Sequence, residues 1–176
     1  QAEALLAAYP FHVVIGSLHP MPNDLGLYDH DYDHLDCDAL LRDYFAEVVR
    51  MEQYGGFDVL AHLDYPLRVM KRPGNHPSFD NFMEHILPVL REAVARGYAI
   101  ECNAATLFSW MERPGPDRWI LEEYRRLGGE RVSFGSDAHR AADIGRGAAV
   151  YRDYLRALGF DHLTVFRGRK AEAYPL

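Results

Sequence analysis

Four short apolar runs, each closing on two polar side chains spaced two residues apart, constrain the fold of this chain more than any other feature. Val13-Val14-Ile15 leads to Ser17 and His19, and Phe57-Asp58-Val59-Leu60 leads to His62 and Asp64. Tyr98-Ala99-Ile100 leads to Glu101 and Asn103, and Val132-Ser133-Phe134 leads through Gly135-Ser136 to Asp137 and His139. Alternate residues of an extended chain face the same side, so each pair can point into one site at the end of its strand. Between the runs lie segments with helical signals. One is expected over residues 38–53, with Asp36 or Asp38 as N-cap and Gly55-Gly56 as the stop. A second is expected over 78–96, capped by Ser78, ended by Gly97 and kinked at Pro88. A third starts at Pro116 and stops at Gly128-Gly129, and a fourth covers 143–158 before a last strand near 163–166. A helix opens the chain near residues 1–9, a polar loop fills 20–36, and 68–74 reads as a basic loop.

Strands separated by helices of ten or more residues pair in parallel, with the helices as crossovers. The whole stretch 1–176 forms one domain. A complete eight-fold β/α barrel takes about 250 residues, so five strands make either an open sheet or an incomplete barrel. The incomplete barrel is the favoured expectation. The opening helix has neither an initiating Met nor an N-cap residue before it, which suggests that the numbering starts inside a longer polypeptide.

Polar pairs gathered at one rim of a β/α sheet are the layout of a metal-dependent active site. Asp137 and His139 are the leading catalytic and metal-ligating candidates. His19 follows a glycine that lets the backbone bend, and fits a ligand better than a core residue. His62 is a further ligand candidate, with Asp64 placed to take its other ring N–H. Glu101 and Asn103 are expected to support the ligands from behind, because a buried carboxylate needs partners. Arg68 and Lys71, in the basic loop beyond His62, could clamp an anionic substrate.

Other features point away from alternative chemistries. The loop residues Asp29, His30, Asp31, Asp33, His34 and Asp36 read as a solvated acidic loop rather than a second metal site. His12, His76, His85 and His162 read as surface or packing residues. No G-x-S-x-G elbow is present, and Cys102 alternates with Glu101 and Asn103, so it faces the other way. The formal charge of −7 argues against a nucleic-acid footprint. It leaves a small phosphorylated metabolite open, since bound cations invert the local field. Two distant cysteines give no disulfide framework, and the absence of an apolar run of membrane-spanning length makes a cytoplasmic protein the default.

The segments Ile15-Gly16-Ser17-Leu18-His19, Phe57 to Asp64, Ile100 to Asn103 and Phe134 to His139 resemble the PHP (polymerase and histidinol phosphatase) family, most closely its histidinol-phosphate phosphatases. Phe166-Arg167-Gly168-Arg169-Lys170 is similar to the closing strand and tail of that branch. The resemblance implies a distorted (β/α)7 barrel holding up to three zinc, iron or manganese ions. The implied activity is hydrolysis of L-histidinol phosphate in histidine biosynthesis. It implies that His19 and His62 bind one metal while Asp137 and His139 serve its neighbours. The family's opening His-x-His pair, a further acidic or histidine residue, another His and a bridging Glu have no counterpart here. Phe11-His12 also stands where the family often has Phe-Asp. The resemblance therefore covers the C-terminal portion of such a domain, and the stretch alone is expected to hold metal poorly. Alternatives are a related phosphoesterase acting on nucleotides or DNA ends, a metal-dependent amide hydrolase, or a non-catalytic remnant.

Overall fold

In the computed structural model, residues 2–19 and 26–176 are described, so part of the polar loop expected at 20–36 lies outside them. The chain runs through α1 (Ala2–Ala8), β1 (Ile15–Gly16), α2 (Cys37–Tyr54), β2 (Val59–Leu60), α3 (Tyr65–Met70) and α4 (Phe82–Arg96). It continues through β3 (Ala99–Asn103), α5 (Arg118–Arg126), β4 (Val132–Gly135), α6 (Ala148–Ala157), β5 (His162–Arg167) and β6 (Lys170–Pro175). The first four strands form one parallel sheet in the order β1-β2-β3-β4. With α2, α4 and α5 as crossovers, all four strands end at the same edge. That edge carries Ser17 to His19, His62, Glu101 to Asn103, and Asp137.

The last strand and the basic loop depart from expectation. The last strand does not join the parallel sheet; β5 pairs antiparallel with β6, from His162 opposite Pro175 to Arg167 opposite Lys170. The two-residue turn Gly168-Arg169 has φ of 54° and 66°, the left-handed pair that matches the twist of a hairpin. The basic loop after His62 is instead the short helix α3, with Pro66 in its first turn and Tyr65, Leu67, Val69 and Met70 buried. Among the described residues the sheet is open, and no strand joins β1 to β4. A cleft of about 570 Å³ runs between Val13 and Ile15 on one side and Leu163, Val165 and Tyr174 of the hairpin on the other.

The core lies between α2, α4 and the sheet. Cys37, Leu41, Tyr44, Phe45, Val48 and Glu52 form one buried stripe on α2 at helical spacing. It meets Phe82, Ile86, Val89, Leu90 and Ala93 of α4. Phe45 packs edge-to-face on Phe82 at 5.3 Å, and Phe82 does the same on Trp119 at 5.6 Å. Burying a side chain of this size contributes about 1.5–3 kcal/mol. Asp36 caps α2, its Oδ1 accepting the Ala39 N–H at 2.9 Å. Helix α4 starts after Asn81 rather than at Ser78, because Asp38 of α2 accepts the amides of Asp80 and Asn81. It runs unbroken through Pro88, which sits on the exposed side.

The edge of the sheet remote from the polar pairs is locked by the hairpin. His12 Nδ1 accepts the Gly168 N–H, and its carbonyl accepts that of Arg169. Arg169 Nε donates at 2.5 Å to Asp58, whose same oxygen accepts the Val14 N–H. His12 is thus a surface residue that ties the hairpin turn to the start of β1. On the other side, the Tyr151 hydroxyl accepts the Gly115 N–H at 2.7 Å and donates to the Asn103 carbonyl at 2.5 Å. Tyr151→Phe leaves the Gly115 amide buried without a partner, so it is expected to cost about 2 kcal/mol. Chemical denaturation checks this, and an unchanged midpoint would show that Gly115 finds another acceptor.

Candidate metal centre and adjoining anion pocket

His62 sits on the bend after β2 with φ of 29°, a left-handed conformation that costs a β-carbon residue and is held by its surroundings. Its backbone N–H donates to Glu101 Oε2 at 3.0 Å, and the same oxygen accepts from Asn103 Nδ2 at 3.1 Å. Asn103 Oδ1 in turn accepts the Ala105 N–H. Glu101 and Asn103 therefore fix the turn that carries His62. Burial pushes the Glu101 carboxyl up, while these bonds work in the opposite direction. The imidazole of His62 is buried and its Nδ1 has no partner. Burial, and next the neighbouring His19, push its pKa down to about 4. The ring is neutral near pH 7, the state a metal ligand requires.

His19 faces it, with ring centres 4.9 Å apart, and Tyr65 packs on both rings at 5.1 Å. Tyr44 from α2 donates to the Leu18 carbonyl at 2.8 Å and anchors the turn before His19. Two imidazoles on one tetrahedral ion, each bound at about 2.0–2.1 Å, bring their ring centres to about 5 Å. The orphaned nitrogen and this spacing fit a divalent transition metal between the rings. Among the described residues no three His, Cys, Asp or Glu side chains form a metal-holding group, so the two imidazoles lie together without a third candidate donor.

Asp137 has φ of 51° and is exposed. Its charge acts on both His62 and Glu101. His139 Nδ1 lies 2.9 Å from the Asp137 carbonyl. A carbonyl only accepts, so the neutral ring carries its proton on Nδ1 and leaves Nε2 free. Asp137 and His139 line a pocket of about 300 Å³ with Tyr28, Arg68, Arg72, Ser109 and Trp110. Asp137 is the link between this pocket and the paired imidazoles.

Two side chains lie elsewhere than the spacing implied. Asp64 makes no bond to His62: its carboxyl is buried, neither oxygen has a partner, and it lies behind the site beside Gly115 and Thr106. Burial, followed by the nearby Asp117, pushes its pKa up to about 7. Lys71 points away from the pocket, its Nζ 4.8 Å over the Phe79 ring. Arg72 takes the place beside Arg68, because both lie four residues apart along α3 and its C-terminal turn. Trp110 lies in a turn and Tyr28 in a three-residue 3-10 helix, both too short for periodicity, so no sequence signal marked them. Of the acidic loop, Asp31 pairs with His34, Asp33 with His76, and Asp36 caps α2.

Gly135 on β4 shows how closely this is packed. A Cβ there would lie 2.1 Å from Glu101 Oε1. Gly135→Ala must therefore move a carboxylate that holds the His62 turn. We expect about 1–2 kcal/mol of destabilisation together with weaker zinc binding, measured by calorimetric titration. Wild-type zinc affinity would show that Glu101 does not position His62.

The class these features define is a parallel α/β protein with its polar chemistry at the carboxyl edge of the sheet. The proteins it resembles are more particular. The chain is 38% identical over 141 residues, 80% of its length and 58% of the relative's, to a probable histidinol-phosphatase of Thermotoga maritima. It is 30% identical to the probable histidinol-phosphatase of Deinococcus radiodurans, over 97% of this chain and 63% of that protein. A crystal structure of histidinol phosphate phosphatase from Lactococcus lactis, complexed with zinc, L-histidinol and phosphate, matches in fold with a TM-score of 0.74. It is 22% identical and covers 97% of this chain and 65% of that one. No family model matches. The chain spans about three fifths of the length of these curated relatives, which support a kinship with histidinol-phosphatases. No helix among the described residues is long and apolar enough to cross a membrane.

Proposed function

We propose that the chain is the C-terminal portion of a metal-dependent phosphomonoesterase of the PHP type, and that L-histidinol phosphate is its substrate. The observation that carries this is the His19 and His62 pair, with its orphaned buried nitrogen, beside a pocket holding two guanidiniums, Asp137 and His139. The similarity to histidinol-phosphatases supports the substrate. The polar edge of an open parallel sheet is consistent with part of a (β/α)7 barrel. His19 and His62 would hold one zinc, manganese or iron ion, with Asp137 and His139 serving its neighbours.

A divalent metal, when bound, supplies Lewis acidity and makes water more acidic. Arg68 and Arg72 face the phosphate oxygens as forked donors and offset their charge. Water attacks phosphorus opposite the ester oxygen, the P–O bond to the alcohol breaks, and its electron pair leaves with that oxygen. Asp137 or His139 takes a proton from the water and returns one to the leaving oxygen. The products are L-histidinol and phosphate. Glu101 and Asn103 act one step back, by holding the His62 turn.

The test is phosphate release from L-histidinol phosphate by the full-length protein, before and after chelation and after adding back zinc, manganese or iron. Chelation should abolish turnover and one of the ions should restore it. A metal-loaded protein that releases no phosphate would refute the proposal. Among the described residues the sheet is open and no third donor is present, which favours one second reading, a metal-free remnant. Full-length protein purified without metal and stable without it would support that instead.

A further inference from the structure

We infer that Trp110 is the surface on which the pocket seats the flat ring carried by the alcohol half of its phosphoester substrate, leaving Arg68 and Arg72 for the phosphate. This rests on the phosphatase reading above and assigns the part of the substrate that reading leaves without a partner. The indole is 42% exposed, a large apolar area to leave in water at the wall of a pocket. It is nonetheless pinned, because Nε1 donates to the Arg68 carbonyl at 3.0 Å. That bond uses the edge of the indole that could hydrogen-bond a ligand, so the ring offers its face.

The other exposed aromatics nearby have a face taken. The Arg72 guanidinium lies 5.5 Å from the centre of the Tyr28 ring, and that of Arg146 lies 3.5 Å from the Phe108 ring. Among the described residues no ring and no cation stacks on Trp110. The guanidiniums are available in a different sense. Neither Arg68 nor Arg72 has a carboxylate within ion-pair distance among the described residues, and both line the pocket with Asp137. The cavity thus joins two guanidiniums, from α3 and the turn after it, to an indole on which no ring or cation stacks among the described residues. At about 300 Å³ it suits one small ligand. A phosphate monoester whose alcohol ends in a planar ring, such as imidazole, matches both features. An aliphatic phosphate matches only one.

The experiment uses full-length protein as wild type, Trp110→Ala and Trp110→Phe. It compares hydrolysis of L-histidinol phosphate and of glycerol phosphate, with inorganic phosphate as competitive inhibitor. Trp110→Ala should raise KM for the ring-bearing ester about tenfold and change kcat by less than twofold. KM for glycerol phosphate and Ki for phosphate should stay put. Trp110→Phe should keep most of the discrimination, since it loses the N–H but keeps an aromatic face. The inference is overturned if all three constants rise together in Trp110→Ala, which is the signature of a prop for Arg68. It is equally overturned if none rises, or if Trp110→Phe behaves like Trp110→Ala. A wild type that hydrolyses neither ester removes the phosphatase reading, and calorimetric binding of the two esters then decides Trp110 by itself. A preference for the ring that Trp110→Ala abolishes supports the inference, and equal affinities refute it.

Discussion

Asp137→Asn in the full-length protein is expected to lower phosphatase kcat about a thousandfold, within the range for removing a proton-transferring or charge-bearing group, while the fold stays intact. Asparagine is the informative substitution because residue 137 has φ of 51°. Asn tolerates that conformation, whereas a plain β-carbon residue such as alanine adds about 1–2 kcal/mol of backbone strain. The change removes the charge that connects the imidazole pair to the guanidinium pocket, and it keeps the turn that places His139. Since Asp137 is exposed, the melting temperature should move by no more than about 2 °C. Steady-state kinetics, calorimetry and metal content of the purified variant report these separately. Turnover within twofold of wild type would take Asp137 out of the chemistry. Lost turnover with unchanged metal content would make it a proton carrier rather than a ligand.

The parallel sheet was legible because its signal is local. Each crossover helix has a stop glycine or an N-cap, and each strand is a short apolar run. The hairpin was not legible, because Gly168-Arg169 lacks the Asn-Gly or Asp-Gly signature of its turn and a lone apolar run at 163–166 fits a parallel strand equally well. Helix α3 was hidden by its length of six residues, too short for periodicity to show. That miss also misplaced Lys71, since a loop gives no rule for which basic residues share a face. The alternation rule brought Glu101 and Asn103 together on one side of β3, with Cys102 buried on the other. It did not carry past a strand's end: His62 has left the extended region at φ of 29°, so Asp64 two residues on turns away from its ring and into the protein. Trp110 reaches the pocket through a single hydrogen bond to α3, a long-range contact without a local pattern.

Glu52→Leu is expected to stabilise the protein by about 3 kcal/mol at pH 8 and by much less at pH 5. Glu52 lies on the buried stripe of α2 with no exposed surface, and neither carboxyl oxygen has a hydrogen-bond partner. Burial, and next the negative charge of Glu92, push its pKa up to about 9, with Arg96 the opposing influence. An unfolded glutamate ionises near 4.5, so between that pH and about 9 the folded chain binds one more proton than the unfolded chain does. Stability attributable to Glu52 is therefore complete below pH 4.5 and falls as pH rises through this window. Leucine carries no proton and continues the apolar stripe of Leu41, Phe45 and Val48 along α2, so the slope due to residue 52 disappears. Glu52→Gln separates the two effects, because it flattens the pH dependence but leaves a buried amide unpaired. Urea midpoints at pH 5, 6.5 and 8 measure both. Parallel curves for wild type and Glu52→Leu across that range would show that Glu52 is ionised in the folded protein and paired through a rearrangement of Arg96. The carboxyl lies remote from His62, on the helical layer that buttresses β3. The gain in stability should therefore leave metal affinity at the polar edge unchanged.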